Sequence, residues 1–214
     1  MRPARSGGSP VTLVAEERIN ARHPDASNLV SCAVLRLLES HPSPRPLSIL
    51  CIGTDRSTGD SLGPLVGTEL RKDPRIHASV VGHLDCPLHA TNLMDELVVL
   101  GRARPSPLVI AVDACLGRHD QIGTVVVGKG PLKPGAGVNK CLPPVGDVFV
   151  TGTVNVGGFM EYLVLQNTRL SLVFAMANVI ARGLRAAVSE YAVRPPADYG
   201  LCSGAVPAGS TRTL

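Results

Sequence analysis

The segment Leu47-Ser48-Ile49-Leu50-Cys51-Ile52-Gly53-Thr54-Asp55-Arg56-Ser57-Thr58-Gly59-Asp60-Ser61-Leu62-Gly63-Pro64 passes from an apolar run into a polar, glycine-punctuated turn. A short apolar run that stops at a glycine reads as a buried strand. Leu62 to Arg71 then reads as a modest helix. Outward from there, Ala78 to Gly82 is a second strand and His89 to Leu100 a second helix. Leu108 to Val112, built of Leu, Val, Ile and Ala, is a third strand. Strand and helix in alternation predict an α/β fold with a parallel sheet and right-handed crossovers. Continuous apolar strands fit a sheet covered on both faces.

The rest of the chain extends this pattern. Gly123 to Val127 is a fourth strand, and Val148 to Val150 starts a fifth. Between them, Gly128 to Gly146 is a Gly/Pro-rich loop, long enough inside one domain to suggest a function. Leu29, Val30, Val34, Leu37 and Leu38 recur at helical spacing ahead of the first strand. Leu170, Val173, Ala177, Ile180, Leu184 and Val188 form a stripe, with a second row at Leu172, Met176 and Val179. A helix apolar on two sides is a core layer or an interface. Residues 1–24 are expected to be a mobile N-terminal segment, residues 25–193 a single domain, and residues 194–214 a flexible tail.

Composition narrows the function classes. The 214 residues are 44% apolar, enough for a sizeable core, and 18% charged. Aromatics are 3% and Trp is absent, which weakens any reading based on stacking against nucleic-acid bases. The net charge of +4 carries no long basic run, so no nucleic-acid partner is expected. The sequence holds no apolar stretch long enough to predict a membrane span, and Val11 to Ala15 is too short for a secretory core. Six dispersed cysteines without a C-x-x-C pair point to a reduced, intracellular protein rather than a zinc ribbon or redox motif.

In a doubly wound sheet, chemistry gathers at the carboxyl ends of the strands. Each of the first three ends carries aspartate: Asp55 and Asp60, then Asp85, then Asp113. With the strand order 2-1-3, Asp60 and Asp113 would face each other across the switch point. Two neighbouring carboxyls share a proton, and such a pair can activate water and protonate a leaving amine. Aspartates at these places also close turns and cap helices. Gly59-Asp60-Ser61-Leu62-Gly63 matches the G-x-S-x-G nucleophile elbow. The late histidine of a serine esterase is missing, however, since the last histidine is His119. His83 and His89 flank the second strand end as surface residues, helix-start residues or metal ligands. Lys129, Lys133 and Lys140 make the long loop a candidate path for an extended peptide or an anion.

Cys51 to Pro64 resembles the signature of the YyaC sporulation proteins. So do Ile110-Ala111-Val112-Asp113-Ala114-Cys115-Leu116-Gly117-Arg118, Gly130-Pro131-Leu132-Lys133-Pro134-Gly135-Ala136-Gly137, and the blocks Asn155 to Tyr162 and Gln166 to Leu172. The blocks run in order over roughly residues 47 to 182. That family is related to the spore germination protease and, more distantly, to hydrogenase-maturation endopeptidases. The resemblance implies a three-layer α/β/α sandwich of phosphorylase/hydrolase type, and peptidase chemistry. It implies catalytic roles for Asp60 and Asp113. The maturation enzymes hold a metal through two such acids and a later histidine. No histidine stands near Val154 to Phe159, so a metal-free aspartic mechanism without a cofactor is expected.

The resulting expectation is an aspartic-type peptidase of the cytoplasm of the forespore or spore core. It would act on a protein or peptide substrate, with small acid-soluble spore proteins as candidates. Thr54, Asp55, Lys133, Gly135, Gly137, Lys140 and Asn155 are the expected substrate-binding residues, Asn155 as a donor to the developing oxyanion. The alternative is a non-catalytic peptide- or partner-binding protein of the same fold. Neither reading calls for a membrane, and self-association through the doubly apolar helix is an open option.

Overall fold

Six strands form one mixed sheet in the order β1-β5-β6-β4-β2-β3. The strands are β1 (Glu16–Asn20), β2 (Leu47–Cys51), β3 (Ser79–Val81), β4 (Leu108–Gly117), β5 (Thr124–Lys129) and β6 (Val148–Val156). The helices are α1 (Ala26–Glu39), α2 (Leu62–Arg71), α3 (Leu93–Arg102), α4 (Glu161–Gln166) and α5 (Leu170–Val193). This computed structural model describes residues 16–134 and 142–193.

The parallel half has the expected arrangement. β2 lies between β3 and β4, parallel to both, and β6 is parallel to β4. Moving from β2 to β3 and then back across to β4 reverses the direction of travel. Right-handed crossovers therefore put α2 and α3 on opposite faces of the sheet. The packing agrees. Ile49, Cys51, Ile110 and Val112 join α1, α2 and α5 in one core. Leu50, Ile52 and Ala111 join Leu88, Leu93, Leu132 and Val145 in the other. The protein is thus a three-layer α/β/α sandwich.

β5 and β1 complete the sheet in antiparallel register, Val126 opposite Thr151 and Arg18 opposite Val126. Here the structure departs from the expected boundaries. Residues 16–20 fall in the segment expected to be mobile, yet they form the edge strand. Only Ile19 of that strand is buried, so its sequence lacks an apolar run and is held by backbone pairing to β5. β4 also continues past Val112 to Gly117, because β6 pairs with it along that whole length. The long loop is tied at its base by the Leu132–Val145 bridge and by the Gly130 amide, which donates to the Asp147 carbonyl at 2.7 Å.

α5 is the central helix of the larger core. It has the length and composition of a membrane span, but half of its most apolar stretch is buried inside the domain. Val173, Met176, Ala177, Ile180, Leu184 and Ala187 face α1, α2 and the sheet. Gly183 permits the approach of α1: a Cβ there would sit 2.6 Å from Val30 Cγ1. The core thus takes up the first row from Val173 to Val188, and Met176 of the second, while Leu172 and Val179 are partly buried and Leu170 is exposed.

Candidate active site

Three hydrogen bonds fix the carboxyl end of β2. The Ile52 amide donates to the Val112 carbonyl at 2.7 Å, and the Gly53 amide to the Leu88 carbonyl at 2.8 Å. The Thr54 amide donates to the Asp60 carbonyl at 3.1 Å. The chain between them folds back on itself through a 3-10 turn, Gly59–Ser61, and enters α2. Glycine is required for that return. Gly53 has φ +141°, and a Cβ on it would lie 2.0 Å from the Asp60 carbonyl oxygen. A Cβ on Gly63 would lie 2.0 Å from the Ile52 carbonyl oxygen. The glycine spacing of the segment is thus the spacing of its backbone contacts.

The turn carries Asp60 to the end of β2 and packs against β4. Asp113 stands on β4, one residue past Val112, whose carbonyl receives the Ile52 amide. Asp113 is 7% exposed, and one of its carboxylate oxygens accepts the Ala114 amide at 2.8 Å. Asp60 therefore follows the carboxyl end of β2, and Asp113 stands within β4 just past the last residue that β2 pairs, beside the switch point of the sheet. Burial pushes the Asp60 carboxyl above the usual aspartate value; the Thr54 backbone and the His89 ring pull the other way. His89 reaches this place because Leu88 bridges to Ile52 beside β2. Its ring Nδ1 lies 2.8 Å from Thr91 Oγ1. The sequence offered His89 as a surface residue, a helix-start residue or a metal ligand. Its closeness to Asp60 depends on a lone bridge that no local pattern announces.

Beyond Asp113, Cys115 sits across from Thr153, with Sγ to Oγ1 at 3.4 Å. Burial raises the Cys115 thiol, more than its hydrogen bonds to Thr153 and Thr151 lower it. A neutral thiol is a poor nucleophile. Ser61 is 6% exposed and its hydroxyl donates to the Thr58 carbonyl at 2.6 Å. That bond closes the turn and explains the serine without a nucleophilic role. Among the described residues, no three His, Cys, Asp or Glu side chains group so as to hold a metal ion.

The remaining expected site residues are dispersed. Thr54 is half-buried and its hydroxyl accepts the Arg56 amide at 3.3 Å, within the turn. Asp55 is exposed beside it, and Lys133 is exposed on the long loop, next to Leu132, which packs with Ile52 and Leu88. Gly135, Gly137 and Lys140 lie outside the described residues.

Asn155 is engaged within the fold. Its side-chain amide donates to the Val164 carbonyl at 3.3 Å and to Thr168 Oγ1 at 3.2 Å, and its oxygen accepts the Val156 amide at 2.9 Å. These bonds occupy the amide that was expected to face an oxyanion. The cause is a bulge: Cys115 pairs with Thr153 but Leu116 with Asn155, leaving Val154 as an extra residue. The bulge turns Asn155 toward α4 and α5. There it supports the turn instead, since a Cβ on Gly59 would lie 2.9 Å from that same Thr168 hydroxyl.

Comparison with known proteins agrees with the reading of the motifs. A family profile described as "Protein of unknown function (DUF1256)" matches residues 18–183. The chain is 57% identical over 140 residues to "Uncharacterized protein YyaC" of Bacillus subtilis (strain 168), covering 65% of this chain and 68% of that protein. The resemblance to the YyaC proteins read from the sequence therefore holds. Among solved structures, the chain is similar to a [NiFe] hydrogenase maturation protease, HycI, from Thermococcus kodakarensis KOD1. That likeness has a TM-score of 0.41 and 18% identity, over 71% of this chain and 98% of that one.

Proposed function

This chain belongs to the DUF1256 family, and we propose that it is a peptidase in which Asp60 and Asp113 cleave a peptide bond with activated water. The observation that supports the reading is that Asp60, in the turn that follows β2, and Asp113, on the neighbouring strand β4 just past the last residue paired with β2, both belong to the carboxyl end of β2, with Asp60 held toward its protonated form by burial. In the proposed reaction Asp113 takes a proton from water as its oxygen attacks the scissile carbonyl. Asp60 gives its proton to the departing amine as the C–N bond breaks. The products are a free carboxyl and a free amino terminus, and the proton returns between the two aspartates. An extended segment of a protein is the proposed substrate, with small acid-soluble spore proteins as the candidates. The proposed setting is the cytoplasm of the forespore or spore core.

A second reading is a peptide- or partner-binding protein without catalysis. The 7% exposure of Asp113 favours it, because a general base must reach water. One experiment separates the two. Wild type, Asp60→Asn and Asp113→Asn are incubated with small acid-soluble spore protein, with and without chelator, and the products are weighed by mass spectrometry. Cleavage by the wild type alone, indifferent to chelator, is the expected result. Cleavage surviving in both variants would sink the aspartate mechanism. Intact substrate in every arm would favour the binding reading, and loss on chelation would require a metal.

A further inference from the structure

β3 is the last strand of the sheet and pairs only with β2 among the described residues. A terminal strand presents alternate N–H and C=O groups outward, and folded proteins rarely leave such an edge without a device to guard it. β3 is guarded only by its shortness, three residues, Ser79-Val80-Val81, with no proline, charge or bulge. Along this edge runs a groove of about 380 Å³. Val81 and Leu88 form its apolar floor, and Val99 of α3, 60% exposed, forms part of its wall.

The charges of this groove are sorted by side. Arg71, at the end of α2, lines it from the layer of α1, α2 and α5. Asp95 and Glu96 line it from α3, in the opposite layer. None of the three takes part in an ion pair among the described residues. A strand added to the edge points successive side chains to opposite faces of the sheet. One set would meet Arg71 and the next would meet Asp95 and Glu96. A peptide with a basic residue beside an acidic one satisfies both sides, and apolar neighbours fit the floor.

The groove also leads toward the aspartates. Its floor ends at Leu88, which bridges to Ile52, and the next residue, His89, is the one whose ring acts on Asp60. A strand laid along β3 and continued past Leu88 arrives at the proposed scissile position.

We infer that an extended peptide docks on β3 as an added strand, with a Lys or Arg facing Asp95 and Glu96 and an adjacent Asp or Glu facing Arg71. The inference rests on the hydrolase reading only in taking that peptide as substrate; the docking itself stands on the edge and the sorted charges. Backbone pairing would supply affinity and the alternate side chains specificity.

The test uses the full chain carrying Asp60→Asn and a fluorescent peptide, acetyl-Val-Val-Lys-Glu-Val-Val-amide, followed by anisotropy. Saturable binding is expected. N-methylation of one alternating set of peptide amides should weaken it by about tenfold or more, and methylation of the other set should be tolerated. Arg71→Glu and the pair Asp95→Lys with Glu96→Lys should each weaken binding to a similar degree. Reversing both sides of the groove should restore binding to a peptide with Glu and Lys exchanged. These residues lie on the surface, and unchanged thermal melting verifies that each variant is folded. Absence of saturable binding would overturn the inference, and so would equal sensitivity to methylation of either set. Docking with this signature while wild type leaves the peptide whole would uphold the groove and count against the peptidase. Cleavage of the peptide by wild type at a rate untouched by the groove variants would uphold the peptidase and overturn the groove.

Discussion

The side-chain amide of Asn155 on β6 donates to the hydroxyl of Thr168 at 3.2 Å, and that hydroxyl donates onward to the Val164 carbonyl at 2.9 Å. Thr168 also backs Gly59, the residue before Asp60. A strand bulge, a helix junction and a candidate catalytic turn are thereby joined through two side chains. Removing either should loosen the turn without touching a substrate. Asn155→Ala and Thr168→Val should each cost about 1–2 kcal/mol in urea unfolding, as lost part-buried hydrogen bonds do. The double variant should cost less than the two together, because they share one network. If the protein is a peptidase, both should lower kcat with KM nearly unchanged. A rise in KM with kcat unchanged would return Asn155 to substrate binding.

The glycines of the opening segment make a second, sharper prediction. Gly63→Ala places a methyl 2.0 Å from the Ile52 carbonyl oxygen, a backbone atom that cannot rotate away. The helix start and the strand end must separate, at a cost of about 3 kcal/mol or more. Gly101→Ala is the control. It lies in α3 with nothing within 4 Å of the new methyl. There the substitution should stabilise by about 0.5–1 kcal/mol through helix propensity and a less flexible unfolded chain. Chemical denaturation of the two variants should move in opposite directions.

The parallel core was legible because its strands are buried on both faces and so read as unbroken apolar runs. Leu47 to Ile52 and Leu108 to Val112 needed no other signal. The placing of Asp60 and Asp113 beside the carboxyl end of β2 followed from the order of the first three strands. β1 was not legible. Glu16-Glu17-Arg18-Ile19-Asn20 has one buried residue, and its pairing partner lies a hundred positions away in β5. The contacts of Asn155 were not legible either: the register shift that leaves Val154 extra, and so turns Asn155 toward Thr168, depends on the pairing with β4. His89 depended on the Leu88–Ile52 bridge. Periodicity reports what a residue faces within its own element, and each of these residues is placed by a different one.

Thiol reactivity should divide by burial. Cys51 is fully buried on β2, and desolvation drives its thiol far above the ordinary range. Cys115 is raised as well, while Cys32 and Cys86 are exposed. Brief alkylation of the native protein near neutral pH, followed by peptide mapping, should label Cys32 and Cys86 and spare Cys51. Labelling of Cys51 should appear only in denaturant. Equal labelling of Cys51 in the native protein would mean that the β2 layer opens readily.

The raised Asp60 carboxyl predicts how stability changes with pH. Its value in the folded chain lies above the ordinary 3.8, chiefly through burial. Between the two values the folded chain binds more protons than the unfolded one, so stability must fall as pH rises. The favourable contribution is whole below 3.8 and is lost as pH climbs through the folded value. Above that, the ionised carboxylate is a constant burden on the fold. Asp60→Asn carries no such burden. Its melting temperature should match that of the wild type at the acid end, draw ahead as pH rises, and hold a fixed lead toward neutrality. A lead that instead grew toward acid would mean the carboxylate is stabilised where it lies, and Asp60 could not then hold the proton that a departing amine requires.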